Sequence, residues 1–146
     1  METDKQLNNL FKANPAMLKE FLDLDGEGKA VMRSEVLKAL ERRIDGVYEP
    51  ASGPVTIVEF QGYPKENIYA LTFAAMALYD IQHPGCGVHG VILFLNPEDD
   101  PGPYPWKVIA NAGFSFFKVL YFKDVLDALR QRDPDHPLLL VFFPLI

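Results

Sequence analysis

The stretch from residue 44 to residue 61 constrains this chain more than any other. The turn formers Glu49-Pro50-Ala51-Ser52-Gly53-Pro54 separate two short runs, one carrying Ile44, Val47 and Tyr48, the other Val55, Ile57 and Val58. β-Branched and aromatic residues on either side of Pro and Gly predict a β-hairpin. Because side chains alternate along a strand, Val55, Ile57, Glu59 and Gln61 share one face and Thr56, Val58 and Phe60 the other. Pairing Glu49 with Val55 around the loop 50–54 sets Asp45 opposite Glu59, although a slip of one residue would separate them.

Helical periodicity surrounds this hairpin. Thr3 and Gln6 form a capping-box pattern ahead of Leu7, Leu10 and Phe11. Asn14-Pro15 restarts the pattern, and Leu18, Phe21 and Leu22 continue it to Asp25-Gly26. Residues 34–43 have helical propensities, and residues 65–79 place Ile68, Leu71, Thr72, Ala75, Met76 and Tyr79 on one face. Val88 to Leu95 reads as a buried strand, Glu98 to Pro103 as a solvated acidic loop, and Phe114 to Phe122 as another strand. Asp124 to Arg132 follows as a short amphipathic helix, and Leu138 to Phe143 as a last strand or the start of a helix. Alternation of this kind predicts an α/β fold.

A chain of 146 residues fits one domain, read as residues 1–146. Six Tyr, eleven Phe and one Trp supply enough aromatic bulk to exclude a disordered chain. Cys86 has no partner for a disulfide and the N-terminus lacks the plan of a secretory signal, so a cytoplasmic location is expected. The apolar run Pro137 to Ile146 is about half the ~20 residues of a membrane-spanning helix, so no membrane is expected. Its abrupt apolar end predicts internal packing, a homo-oligomeric contact, or a natural chain that continues past Ile146, the last being preferred.

Two carboxylates about 5 Å apart on a half-buried sheet repel unless one is protonated or a cation lies between them. Mg²⁺, or Mn²⁺ in its place, suits Asp45 and Glu59: it takes one or two carboxylates and leaves other positions to water and phosphate. A cation so held polarises a phosphodiester and acidifies a bound water, which points to hydrolysis. Gln61 would orient that water through its amide, without the positive charge a lysine would bring. Arg43, on the Asp45 face, would contact a phosphate or neutralise the acidic pair. Lys38 and Arg42 are further phosphate contacts to consider, in a segment, residues 29–43, that carries a net +3 within a chain of net charge −6.

Arg43-Ile44-Asp45-Gly46-Val47-Tyr48, a turn, then Val58-Glu59-Phe60-Gln61 resembles the Rpn group of recombination-promoting nucleases and transposase-like proteins, in the PD-(D/E)XK nuclease superfamily. The likeness reaches back to Thr3-Asp4-Lys5 and to Pro15 through Leu22, and forward through 65–79 to Pro97, about two-thirds of the chain. It implies a restriction-endonuclease-like mixed central sheet flanked by helices, with Asp45 and Glu59 binding the metal and Glu20 matching a helical acidic residue that assists it. It also implies a DNA endonuclease linked to recombination or transposition. The superfamily usually has Lys where this chain has Gln61, whereas the Rpn group commonly has Gln.

Each residue also has a plainer reading. An Asp before Gly and a single Glu in a strand are ordinarily turn and surface residues, Glu20 a solvated helix residue, and the basic cluster a solvated face. His83, His89 and His136 with Cys86 match no structural-zinc spacing and border Pro or Gly turns. Met17, Met32, Met76 and Phe114, Phe116 and Phe117 read as core. Gln61 and the acidic net charge favour the alternative of a nuclease-fold module with little or no turnover, acting in protein association or regulation.

Overall fold

The computed structural model describes residues 2–37, 42–102 and 105–142, with only the backbone of Glu2 and Arg42. The chain builds a mixed α/β fold around one five-stranded sheet in the order β1-β2-β3-β4-β5. The strands are β1 (Val31–Leu37), β2 (Arg42–Glu49), β3 (Val55–Gln61), β4 (Val88–Phe94) and β5 (Phe117–Tyr121). β1, β2 and β3 pair antiparallel, and β3, β4 and β5 pair parallel.

Helices cover both faces. On one, α1 (Glu2–Ala13), α2 (Pro15–Leu22), α5 (Phe122–Arg132) and α6 (Pro137–Val141) pack Leu7, Phe11, Phe21, Leu126 and Leu138 against Val58, Phe60, Val91 and Leu93. On the other, α3 (Ile68–Gln82) and α4 (Trp106–Ala110) pack Ile68, Tyr69, Ala75, Tyr79 and Ala110 against Val55, Ile57, Ile92 and Phe94. The strands β3 and β4 are therefore apolar on both sides, as parallel strands with two helical layers must be.

The predicted hairpin is β2–β3. Gly46 pairs with Val58, Val47 with Ile57 and Tyr48 with Thr56. Its turn is fastened from outside by mutual backbone hydrogen bonds between Glu27 and Ser52, at 2.6 and 2.9 Å.

Residues 34–37 form the end of β1 instead of the helix their propensities suggest, and 38–41 lie outside the described residues. Pairing with β2 buries Met32 and Leu37 and gives the backbone groups that face β2 ladder partners, which outweighs a few tenths of a kcal/mol of helical preference per residue. Thr3 falls inside α1 and not at its start. Of the last apolar segment, Leu138 to Val141 is helical, with Leu138, Leu139 and Phe142 buried against α2 and α5 and Leu140 79% exposed, and Phe143 lies outside the described residues. Phe114 and Phe116, expected in the core, stack on each other in an exposed loop. Among the described residues no helix is long and apolar enough to cross a membrane.

The acidic loop after β4 is anchored rather than solvated. Asp99 is buried and accepts from Asn96 Nδ2 at 3.1 Å, and the Asp100 carboxylate accepts from both Tyr69 and Tyr121. Burial and that carboxylate push both phenols up, Tyr121 to about 12, so they remain protonated donors at neutral pH.

A second polar knot ties β1 to the C-terminal end of α3. Arg33 donates to Glu35 at 2.7 Å and to the Tyr79 hydroxyl at 2.8 Å, and His83 Nε2 lies 2.9 Å from Glu35 Oε2. Burial opposes ionisation of Glu35, but the hydrogen bonds from Arg33 and His83 outweigh it and hold the carboxyl below its ordinary value. A depressed carboxyl stabilises the fold in full above its unfolded pKa and loses that contribution as pH falls through its folded pKa. Glu35→Gln is expected to lower stability at neutral pH by about 1–3 kcal/mol and to flatten the acid limb of a plot of urea midpoint against pH. An acid limb identical to that of wild type would contradict this account. Gly46→Ala should cost a similar amount, about 1–3 kcal/mol by overpacking, because a Cβ there would sit 2.6 Å from the Val58 carbonyl oxygen and 2.7 Å from Met32 Cε. Thermal denaturation of the variant checks it.

Candidate functional site

The β1–β2 pairing contains one irregularity, and it falls on the residues that matter. Arg33 pairs with Val47 and Glu35 with Ile44, so Ser34 alone faces both Asp45 and Gly46. That is a β-bulge on β2, a device that bends a strand and re-aims a side chain. Its effect shows in the packing: Ile44 and Val47, three residues apart, are both buried in the same core, which an unbroken strand would forbid. The extra residue leaves the Asp45 carboxylate outside that core, 60% exposed, with Oδ1 3.2 Å from Arg43 Nε.

On its other side β2 keeps a regular register with β3. The ladder runs from Tyr48–Thr56 to Gly46–Val58, the register expected for the hairpin, and ends one step short of Asp45 and Glu59. Asp45, Glu59 and Gln61 line one cleft of about 290 Å³. Arg43 joins them from β2, and Tyr63 and Lys65 from the turn that leads into α3.

Helix α1 closes the cleft from the opposite face with Asp4 and Asn8, one turn apart. Asn8 Nδ2 donates to the Asp4 carbonyl at 3.2 Å, while Asn8 Oδ1 is buried with no hydrogen-bond partner among the described residues. A buried acceptor in that state suits a cation or one of its hydration waters. Among the described residues no three His, Cys, Asp or Glu side chains form a ready ligand group. The donors that line the cleft, the Asp4, Asp45 and Glu59 carboxylates and the Asn8 amide oxygen, are the hard oxygens that Mg²⁺ takes, and none is the thiolate or imidazole of a closed zinc site.

Gln61 is 4% exposed, and its Nε2 donates to the Tyr63 carbonyl at 2.6 Å. One N–H of its amide is committed to the turn, which orients the side chain, and Oε1 is its atom able to accept from a water. Arg43 makes a second contact, donating to Ser34 Oγ at 3.2 Å, and Lys12 Nζ donates to the same oxygen at 2.7 Å. Two cations thus converge on Ser34 Oγ, and one of them, Arg43, also pairs with Asp45. Of the other basic residues considered, Arg42 begins β2 with its side chain outside the described set, and Lys38 lies outside the described residues altogether.

Glu20 is not part of this cleft. It sits on α2, 58% exposed, with its carboxylate against His136 Nε2 and its carbonyl accepting from Arg132 at 2.7 Å. His136 Nδ1 accepts from the Leu138 N–H at 3.2 Å, so the pair serves to cap α6 and dock it on α2. The acidic helical residue that does reach the cleft is Asp4. Its only trace in the sequence was its place in the Thr3-Asp4-Lys5 stretch, and Lys65 left no trace at all, since the turn that carries it reads as the start of a helix.

The remaining histidines are also held by carboxylates, His83 by Glu35 and His89 by Asp25 at 3.2 Å. A family model described as "Protein of unknown function (DUF2887)" matches residues 3–145. No curated protein and no solved structure matches the chain.

The placement of Glu20 gives a direct expectation. Glu20→Ala should lower stability by less than about 1 kcal/mol, the scale of an exposed ion pair. The affinity of the protein for Mn²⁺, read by isothermal calorimetry, should not change; a weakened ion affinity would show that Glu20 does reach the cleft.

Proposed function

We propose that this chain, which belongs to the DUF2887 family, is a metal-dependent DNA endonuclease of the Rpn kind, with a restriction-endonuclease-like arrangement of its mixed sheet. The observation that carries the reading is the bulge at Asp45-Gly46, which brings one carboxylate of β2 into the same cleft as Glu59 of β3. Asp45 and Glu59 are the residues that would hold Mg²⁺ or Mn²⁺, with Asp4 and Asn8 beside them. When bound, such an ion polarises the phosphodiester and lowers the pKa of a water.

The chain's own residues supply the rest. Arg43 and Lys65 place positive charge at the cleft, where a DNA phosphate would seat and where negative charge grows as the water oxygen bonds to phosphorus. Gln61 Oε1 accepts a hydrogen bond from that water and fixes its direction of approach, because the amide is pinned by its bond to the Tyr63 carbonyl, and the proton the water loses passes to solvent. The bond that breaks is the P–O bond to the departing sugar, whose oxygen takes up a proton. A place in recombination or transposition follows only by way of the resemblance to the Rpn group.

A second reading has its own support. The net charge of −6 and the Arg43–Asp45 ion pair both disfavour a phosphate in the cleft, while Trp106, Val108 and Phe114 are exposed. These features suit a module that has kept the fold for protein association or regulation. Nicking of supercoiled plasmid in Mg²⁺ or Mn²⁺ separates the two. Under the first reading Asp45→Ala and Glu59→Ala each slow nicking by at least the ~10–100-fold that even outer-shell changes cost a metal site, and both weaken Mn²⁺ binding. Equal nicking by all three proteins would sink the catalytic assignment, and no nicking by any of them would favour the second.

A further inference from the structure

We infer that the DNA taken by this cleft is a strand whose base beside the bound phosphate is unpaired and stacked on Tyr63. The inference rests on the nuclease reading above and names the substrate class of that site.

The first consideration is charge. Duplex binding without base readout draws nearly all its affinity from phosphates neutralised by Lys and Arg. Among the described residues few cations are placed to do so: Arg43 and Lys65 line the cleft, and Lys12 shares the Ser34 Oγ contact with Arg43. A chain of net charge −6 offers little long-range attraction to add to that. A duplex laid across this face would gain little, so recognition must come from a contact that the charge balance does not weaken. Stacking of a base on an aromatic ring is such a contact, and it needs a base free of its own helix.

Tyr63 meets the requirements for that contact. It lines the cleft with Asp45, Glu59, Arg43 and Lys65, and it is 42% exposed, whereas Tyr48, Tyr69 and Tyr79 are buried. Its backbone is held on both sides. Gln61 Nε2 binds the Tyr63 carbonyl at 2.6 Å, and Pro64 restricts the residue before it to extended conformations. A ring on a pre-set backbone has only its two side-chain torsions to order on binding, so most of the stacking free energy survives as affinity. Arg43 and Lys65 are then the cations for the phosphate next to that base.

The test is the binding of a fluorescein-labelled oligothymidylate, read by anisotropy with Ca²⁺ and again without divalent ions, against a duplex and an abasic strand of equal length. The single strand should bind at least tenfold tighter than the duplex. Tyr63→Ala should weaken single-strand binding about tenfold, the size of one base–aromatic stack, and leave duplex binding unchanged. Tyr63→Phe should keep wild-type affinity, and the abasic strand should bind wild type as weakly as oligothymidylate binds Tyr63→Ala. With about three cations engaged, the slope of log affinity against log salt should be near −2. Duplex binding as tight as single-strand binding, or no loss with Tyr63→Ala, would overturn the inference. Because binding is read apart from cleavage, single-strand binding that depends on Tyr63 without plasmid nicking would remove hydrolysis and keep the stacking assignment.

Discussion

The contact between Gly46 of β2 and the backbone of Val58 on β3 is the constraint on which the site depends. At this point β2 must satisfy two neighbours with different demands. Toward β3 it keeps a regular register, and toward β1 it carries one residue more than its partner. Only a residue without a Cβ lets the bulged backbone lie against the Val58 carbonyl, and the same bulge lets Ile44 and Val47 both fill the core below α3. Asp45 is the residue left over by that arrangement. Its exposure follows from where its neighbours must go.

The two cores hold this arrangement from either side. Phe11, Phe21 and Phe60 stack in the layer under α1 and α2, and the same helix α1 brings Asp4 and Asn8 to the cleft. Tyr69 and Ile68 bury the start of α3, which fixes the turn carrying Tyr63 and Lys65. The Arg33–Glu35–His83 knot ties β1 to the far end of that helix, so the strand opposite the bulge is held by charge as well as by the ladder. The groups that α1, β2 and β3 bring to the cleft therefore come from elements whose other faces are committed to packing, and Tyr63 and Lys65 come from the turn between β3 and the buried start of α3.

Several of these features were legible in the residues themselves. The turn formers at 49–54 and the flanking β-branched runs predicted the hairpin, while its register, which a slip of one residue would have changed, is settled by the pairing of Gly46 with Val58. The apolar faces of α2, α3 and α5 were visible for the same reason: a period of 3.6 or 2 in buried positions is a local record of a global core. Strand β1 was not legible. Ser34 to Leu37 has no strong period, and its partner β2 decides its conformation. Nor could the role of Glu20 be settled locally, because a helical carboxylate looks the same whether it faces a cleft or, as here, His136 from a segment more than a hundred residues on.

What the sequence determined by itself is the alternation of elements, the α/β class, and a hairpin on either side of the turn at 49–54. These depend on turns and periodicities that span a few residues each. Tertiary structure alone decided the bulge, the replacement of Glu20 by Asp4 and Asn8 at the cleft, and the arrival of Lys65 and Tyr63 at its edge. Each of those depends on which backbone atoms meet when separate elements dock, and no short stretch of residues contains that information.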